Sequence, residues 1–395
     1  MTPPDLFDVV VIGGGPSGAT AAADLARKGV RVLLLDKAGR IKPCGGAIPP
    51  RLIRDFDIPD HLLVAKVTGA RMMSPSDKRV DMPIENGFVG MVDREDFDEW
   101  LRERARNEGA IRRTGQFESL SRDAQGVAVI EYRAADATPA TVRARAVIGA
   151  DGARSAVARQ CIPGAKELPC VFAYHEIVRS PAGRSSGFDQ TRCDVYYRGS
   201  LSPDFYGWVF PHGDTTSVGT GSAHKGFSLR GAVGELRRSA GLDGVETLRR
   251  EGAPIPMRPM RRWDNGRDVV VTGDAAGVVA PASGEGIYYA MICGRLAADA
   301  VAAFLETGDA RELRGARRRF MKQHGRVFWV LGIMQRFWYR SDRLRERFVS
   351  ICRDPDVQKL TWEAYMNKKL VRARPAAHVK IFFKDLAHLL GLVAP

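Results

Sequence analysis

The chain contains no C-x-x-C pair. Its six cysteines stand apart at 44, 161, 170, 193, 293 and 352, which excludes the usual ligand spacing of a structural zinc or an iron–sulfur cluster. The seven histidines are equally scattered and form no H-x-x-x-H pair, so no metal is assigned. Unpaired thiols suit a reducing, cytoplasmic compartment. No run of about 18 residues is free of charge, so no segment reads as a bilayer span. The N-terminus has no basic region followed by an apolar core, which argues against export. Repeats and low-complexity tracts are also missing, and 395 residues with 45% apolar side chains can bury a large core in two or three units. Acid is scarce at one end only. Of a net charge of +14, the stretch from Arg311 to Pro395 carries +13, with 20 Lys or Arg against 7 Asp or Glu. Such local basicity fits nucleic acid, an anionic membrane surface, an acidic diphosphate substrate or a solvated helical face.

Glycine, by contrast, is concentrated in three informative fragments. The first, VVVIGGGPSGATAAADLA, opens with a strand over Val9 to Ile12 and places Gly13, Gly15 and Gly18 in G-x-G-x-x-G spacing before a helix over Ala19 to Lys28. These glycines permit a tight turn, close approach of backbone to a pyrophosphate, and packing of helix on strand; Ser17 lies among the N–H groups that open the helix. A second strand over Val30 to Leu35 ends in Asp36, the usual distance at which a carboxylate accepts ribose hydroxyls. This is a dinucleotide site. The third fragment, VVVTGDAAGVVAPASGEGI, has a strand over Val269 to Thr272 running into Gly273, Asp274 and Gly277. A second strand-to-turn element ending in an acid suits FAD, whose length spans two such sites. It resembles flavoproteins built like aromatic hydroxylases, in which the acid of a Gly-Asp pair binds the ribityl hydroxyls; Asp274 matches. The middle fragment, Gly149, Ala150, Asp151 and Gly152, is similar to the Asp-Gly motif of the same group.

These fragments are separated by other textures, so the expected fold is α/β: a Rossmann-type FAD-binding domain with an inserted, mainly antiparallel β substrate domain and a helical C-terminal region. The expected boundaries are 1–70, 93–165 and 262–310 for the FAD domain, 71–92 and 166–261 for the substrate domain, and 311–395 for the basic helical region. Asp93 is a plausible cap for a helix with Phe97, Trp100, Leu101 and Ala105 on one face and Gly109 at its end. Residues 69–92 read as short strands around Met72, Val80 and Val89. In the substrate domain, Tyr206, Trp208 and Phe210 alternate along a strand and so share one face, with Pro211 ending the run. They form either one wall of an apolar pocket or a plain sheet core. Gly219 and Gly221 let backbone or ligand pass close by. At the far end, Val379, Phe382, Phe383, Leu386, Leu389 and Leu390 recur at helical spacing, the pattern of an interfacial helix over His378 to Leu392.

Tyr-x-Trp-x-Phe-Pro followed by Gly-x-Gly resembles the substrate motif of geranylgeranyl reductases. Lys42-Pro43-Cys44-Gly45-Gly46-Ala47-Ile48-Pro49 is similar to a loop of that family's (bacterio)chlorophyll branch, and Met91 to Asp98 to its segment in which an arginine, here Arg94, contacts FAD. The resemblance covers roughly residues 5 to 300. It implies a flavin-dependent oxidoreductase that reduces isolated double bonds of a geranylgeranyl chain to a phytyl chain, on a geranylgeranylated tetrapyrrole or on geranylgeranyl diphosphate. It implies cofactor contacts from Gly13, Gly15, Ser17, Gly18, Asp36, Lys37, Gly45, Gly46, Ala47, Arg94, Asp151, Asp274, Gly277, Gly286 and Ile287, and substrate contacts from Tyr206, Trp208, Phe210, Pro211, Gly219 and Gly221. Cys44 is the catalytic candidate, although a thiol is a poor proton donor to an isolated alkene. No second fingerprint exists for NADPH, the expected reductant, so it would use a surface groove; reduced ferredoxin is the alternative. A peripheral membrane location on the cytoplasmic or photosynthetic membrane is expected, with no nucleic-acid partner. The competing readings are an aromatic-ring monooxygenase on the same flavin fragments and a non-enzymatic electron-transfer flavoprotein.

Overall fold

The computed structural model describes residues 5–37, 39, 41–181 and 187–368. The stretch 378–392, read above as an interfacial helix, lies outside them. The described residues form two compact units. One takes the chain up to Lys42, Arg94–Cys170 and Pro254–Trp329; the other takes Pro43–Asp93, Val171–Ala253 and the chain from Val330.

The first unit is built on parallel strands in the order Val269–Val271, Pro139–Gly149, Leu6–Ile12, Val32–Asp36 and Ile111–Arg122. Leu6–Ile12 is central, and its Val9, Val10 and Val11 are fully buried, the near-continuous apolar run of a strand covered on both faces. Ala128–Ala134 runs antiparallel to the far halves of Ile111–Arg122 and Pro139–Gly149. Helix Pro16–Arg27 makes the crossover between the first two strands, and Arg94–Asn107 packs beside it. Phe97, Leu101 and Ala105 turn inward from that second helix, as their spacing predicts, while Trp100 is only half-buried, with the Arg104 guanidinium over its ring, and Gly109 follows with φ +107°. Ile287–Thr307 is long and apolar enough to cross a bilayer by composition, yet two-thirds of its apolar window is buried, largely against Pro16–Arg27.

The second unit has a seven-stranded mixed sheet in the order Thr247–Pro256, Cys170–Arg179, Thr215–Ser222, Gly207–His212, Arg192–Tyr196, Gly69–Met73 and Arg79–Pro83, and a three-stranded antiparallel sheet, Ala47–Ile48, Val89–Val92 and Leu63–Val67. The first boundary therefore falls at Lys42 and not near residue 70, because Leu63–Val67 and Gly69–Met73 find their strand partners in this unit. The basic region does not stand apart either. Arg345, 3% exposed, donates to the carbonyls of Ser202, Pro203 and Tyr339, and Glu346 accepts from Ser76.

The two faces of the seven-stranded sheet are chemically different. Val178, Val209, Val218 and Tyr196 meet Val233, Leu236 and Ala240 of helix Leu229–Ser239 and its end. On that side Arg237 donates to Glu176 at 2.7 Å, and the bonds from Tyr174 and Arg237 outweigh the effect of burial and hold the Glu176 carboxyl below its ordinary range. Alternation sends His175, Ser217, Trp208 and Phe210 to the other side.

Candidate active site

In the first unit the glycine fragment explains itself residue by residue. A Cβ on Gly13, which has φ +105°, would lie 2.4 Å from the Ala150 carbonyl oxygen, and one on Gly18 would lie 1.8 Å from that of Gly13. Those two positions are closed by the protein. Gly15 is different: its backbone (φ −73°, ψ −176°) suits any residue, and nothing lies within 4 Å of its missing Cβ. A glycine that neither backbone nor packing requires leaves room for a ligand's close approach. It begins helix Pro16–Arg27, which has no side-chain cap and no acid in its first turn, so its leading N–H groups are available to a phosphate.

The first and third fragments meet at Ser17, whose hydroxyl lies 2.9 Å from Thr272 Oγ1 and against Gly273. Asp274 follows, paired with Lys42 and largely buried. A Cβ on Gly286, the uncapped N-terminus of helix Ile287–Thr307, would be 3.7 Å from Asp274 Oδ1. Asp36 ends its strand partly exposed, with the Arg102 guanidinium at 3.4 Å; Arg102 also reaches the Gly14 carbonyl at 3.4 Å. A carboxylate at one strand end, a second in the turn after another strand, and an uncapped helix beside an open glycine fit the ribose, the ribityl chain and the pyrophosphate of an FAD in turn.

Other expected cofactor residues fare differently. Lys37 is exposed after its strand. Arg94 is buried in a bidentate pair with Asp98 at 2.8 and 2.6 Å. Asp151 accepts from Ser155 Oγ and from the Ala156 and Val157 N–H groups, so its carboxylate braces helix Ala156–Cys161; burial nonetheless pushes its pKa up. Gly277, with φ +80°, packs against the Arg258 carbonyl, a packing reason for glycine there.

In the second unit the aromatic row is real. Ring centroids run 6.0 Å from Tyr206 to Trp208 and 6.3 Å from Trp208 to Phe210. Pro211 does not end the strand, which continues to His212. Arg192–Tyr196 stops pairing at Val209, so the proline's missing N–H has no strand to face on that side. Gly219 and Gly221 do not hold space open: Trp208 and His175 lean over Gly219, and Val171 and Phe205 over Gly221. The Trp208 indole N–H donates to Ser217 Oγ at 3.1 Å; that hydroxyl lies 2.9 Å from His175 Nδ1, and His175 Nε2 lies 3.0 Å from Glu251. With Nε2 protonated, each donor in this chain has an acceptor.

The same face holds the Cys44-Gly45-Gly46 turn. Phe210 occupies the side of Gly45 where a Cβ would stand, and Gly46, at φ +68°, is pressed between His212 and the Val92 carbonyl. His212 Nε2 donates to the Gly45 carbonyl at 3.1 Å. Burial pushes the His212 imidazole below its ordinary pKa, against the Gly45 bond and Asp93, which favour the proton. The Cys44 thiol accepts from the Gly46 N–H at 3.4 Å. Ala47 begins the short strand that follows and pairs with Met91. Around Phe210, Val67, Val89, Met91 and Cys193 form a buried cluster that Trp362, Tyr365 and Met366 of helix Pro355–Asn367 also cover.

A family model described as an FAD binding domain matches residues 7–168. A geranylgeranyl diphosphate reductase of Rhodobacter capsulatus is 59% identical over 98% of this chain and 99% of its own. The chain belongs to the geranylgeranyl reductase family. A geranylgeranyl diphosphate reductase of Synechocystis is 35% identical, with 97% of each chain covered. Among solved structures, a geranylgeranyl bacteriochlorophyll reductase-like protein of Thermoplasma acidophilum superposes with TM-score 0.80 at 22% identity, covering 94% of this chain and 99% of its own. A flavin-dependent brominase reaches 0.74 at 19% identity, with 96% and 99% covered. At such identities both likenesses speak for the fold alone. As a geranylgeranyl reductase the chain is a flavin-dependent oxidoreductase with FAD as its cofactor.

Sequence reasoning missed Arg102, His212 and the Ser217–His175–Glu251 chain. His212 was legible: it stands two residues beyond Phe210 and four beyond Trp208, on the same strand face. His175 was not, because only the strand register sets it opposite Gly219.

Proposed function

We propose that this protein reduces the isolated double bonds of a geranylgeranyl chain to a phytyl chain, on a geranylgeranylated tetrapyrrole of the (bacterio)chlorophyll type and on geranylgeranyl diphosphate, with NADPH as reductant and reduced ferredoxin as its alternative. The observation that carries the reading is the 59% identity, over nearly the whole of both chains, to a relative named for geranylgeranyl diphosphate reduction. More distant relatives, at 28–29% identity, are named digeranylgeranylglycerophospholipid reductases. Diphosphate and glycerophospholipid share no head-group chemistry beyond phosphate, so the geranylgeranyl chain is the common element. The pigment assignment is supported by the loop Lys42 to Pro49 and its resemblance to the (bacterio)chlorophyll branch. A peripheral location on the cytoplasmic or photosynthetic membrane suits a substrate of this apolarity.

Bound FAD supplies hydride chemistry; the residues of this chain hold and align. Gly13, Gly15, Ser17 and Gly18 would receive the pyrophosphate, Asp36 the ribose and Asp274 the ribityl chain. Tyr206 and Trp208 are buried and Phe210 is half-buried; as a wall of an isoprenoid pocket, such fixed rings would align a double bond better than mobile ones. An isolated alkene also requires a proton on its second carbon. As a thiol, Cys44 is a poor proton donor to an isolated alkene, and burial lowers the His212 pKa while its Nε2 proton is committed to the Gly45 carbonyl. Both therefore serve better as shape than as acid, and reduced flavin itself and a water held beside it stand as equal candidates for the proton source.

The deciding experiment incubates chemically reduced enzyme, without oxygen, with geranylgeranyl diphosphate and with geranylgeranylated bacteriochlorophyllide, and reads product mass. Stepwise gain of two hydrogens supports the reading. Hydroxylation on admitting oxygen, with no hydrogen added to either substrate, favours the monooxygenase alternative, which rests on the fold alone.

A further inference from the structure

Helix Arg314–Trp338 contains seven cations and no acid. Arg318, Lys322, Arg326, Trp329, Ile333 and Arg336 are all exposed, and they follow one another in steps of three or four residues, so they form a single stripe. Trp329 is 69% exposed and Ile333 47% exposed, one turn apart at the middle of the stripe. None of its four cations has an ion-pair partner among the described residues; the helix's ion pair is made by Arg319, to Asp299.

An exposed Trp–Ile pair flanked by unpaired cations has a cost in water that a solvated face avoids. Each candidate occupant can be tested against that composition. A second copy would bring the same positive stripe. The chain beyond Lys368 has five cations and one acid, and would be repelled as well. A nucleic acid would use the cations and could stack a base on Trp329, but would leave Ile333 without a role. An anionic bilayer uses both: indole settles at the headgroup level, the apolar side chain beside it enters the acyl boundary, and arginine and lysine extend their apolar stems while their heads meet phosphate. We propose that this stripe is a membrane-docking surface for anionic lipid. The inference rests on the peripheral-membrane reading above and is independent of the reductase activity.

The test uses the full-length, flavin-loaded protein, co-sedimented with phosphatidylglycerol-rich and with pure phosphatidylcholine vesicles at low and high salt. Wild type should bind the anionic vesicles alone and release with salt. Arg326→Glu/Arg336→Glu should weaken binding at least about 25-fold, as each cation near an anionic leaflet contributes a factor of about five. Trp329→Ser/Ile333→Ser should weaken it several-fold while flavin absorbance and melting temperature stay unchanged; Arg326→Gln/Arg336→Gln replaces the reversal variant if that one misfolds. Three results overturn the proposal: no wild-type binding at low salt, wild-type binding by both double variants, or loss with the charge variant alone combined with full competition by heparin, which marks a polyanion site. Turnover of detergent-dispersed geranylgeranyl diphosphate, followed in parallel, separates the readings. Lost docking with intact turnover leaves the reductase assignment standing, and absent turnover with intact docking leaves the surface standing.

Discussion

Gly219→Ala is the sharpest probe of the aromatic face. The position lies mid-strand in Thr215–Ser222 without a positive φ, so alanine meets no backbone objection and any effect is steric. Its Cβ would stand 2.2 Å from Trp208 Cζ2 and 2.6 Å from His175 Cβ, where carbon contacts settle near ~3.5–4.0 Å. The indole edge must therefore retreat by more than about 1 Å. It cannot do so freely, because its N–H is bonded to Ser217 and Ser217 lies against His175. Overpacking of this kind costs roughly 1–3 kcal/mol, and a lost buried hydrogen bond adds about 1 kcal/mol. At roughly 2–4 °C per kcal/mol for a unit of this size, the melting temperature should fall by about 5–15 °C.

Three measurements read the variant: thermal melting, flavin-to-protein ratio, and anaerobic turnover by product mass. Melting and turnover should both fall while flavin occupancy holds, since the glycine fragment lies in the other unit. Adding Trp208→Phe, whose smaller ring leaves room for the new methyl, should recover part of the stability, with a coupling of at least about 1 kcal/mol. Wild-type melting and turnover in Gly219→Ala would refute the reasoning, for then the indole is not locked by its neighbours.

Other outcomes follow from the same geometry. Asp274→Ala, which removes a charged acceptor, should weaken FAD binding roughly 10–100-fold, and Gly15→Val should do so without disturbing the fold, because the side chain enters space the protein leaves open; a full flavin complement in both would sink the donor set. Cys44→Ala should keep most of its turnover, and loss to background with flavin bound would return the thiol to the chemistry. His212 has a folded pKa below its unfolded value of about 6.5. The unfolded chain thus binds the extra proton first, and the His212 contribution is intact above pH ~6.5 and is lost as pH falls toward the folded value. His175 and Arg249 reinforce that resistance to protonation and Asp93 opposes it. His212→Gln should flatten this part of the stability–pH curve, and an unchanged slope would remove the imidazole as its source.

Much of the first unit was legible because its constraints are local. Gly13 and Gly18 meet backbone of the same turn or of Ala150, and Asp36 ends, and Asp274 closely follows, a strand that an apolar run announces. Ile111–Arg122 escaped, since its twelve residues alternate charge and polarity with few apolar markers. A strand of that kind is held by partners, Val32–Asp36 and Ala128–Ala134, and not by its own composition. Asp151 shows the reverse limit: a motif names the residue, and only the coordinates say that its oxygens are committed to the helix beginning at Ala156.

In the second unit the alternation of Tyr206, Trp208 and Phe210 gave the face, and His212 continues it. What alternation cannot give is what lies across the sheet. Trp208 is fixed by Ser217, nine residues on, by His175, thirty-three back, and through His175 by Glu251, and those neighbours are set by register between strands. The same holds for the glycine motif beyond it. Gly219 reads in sequence as space for a ligand, whereas in the fold that space is filled by the indole. The motif's tryptophan and its glycine are thus one structural device, in which the missing side chain at one position sets the orientation of the ring at the other. Substitutions that enlarge Gly219 should therefore alter how an isoprenoid is aligned before they alter whether flavin binds.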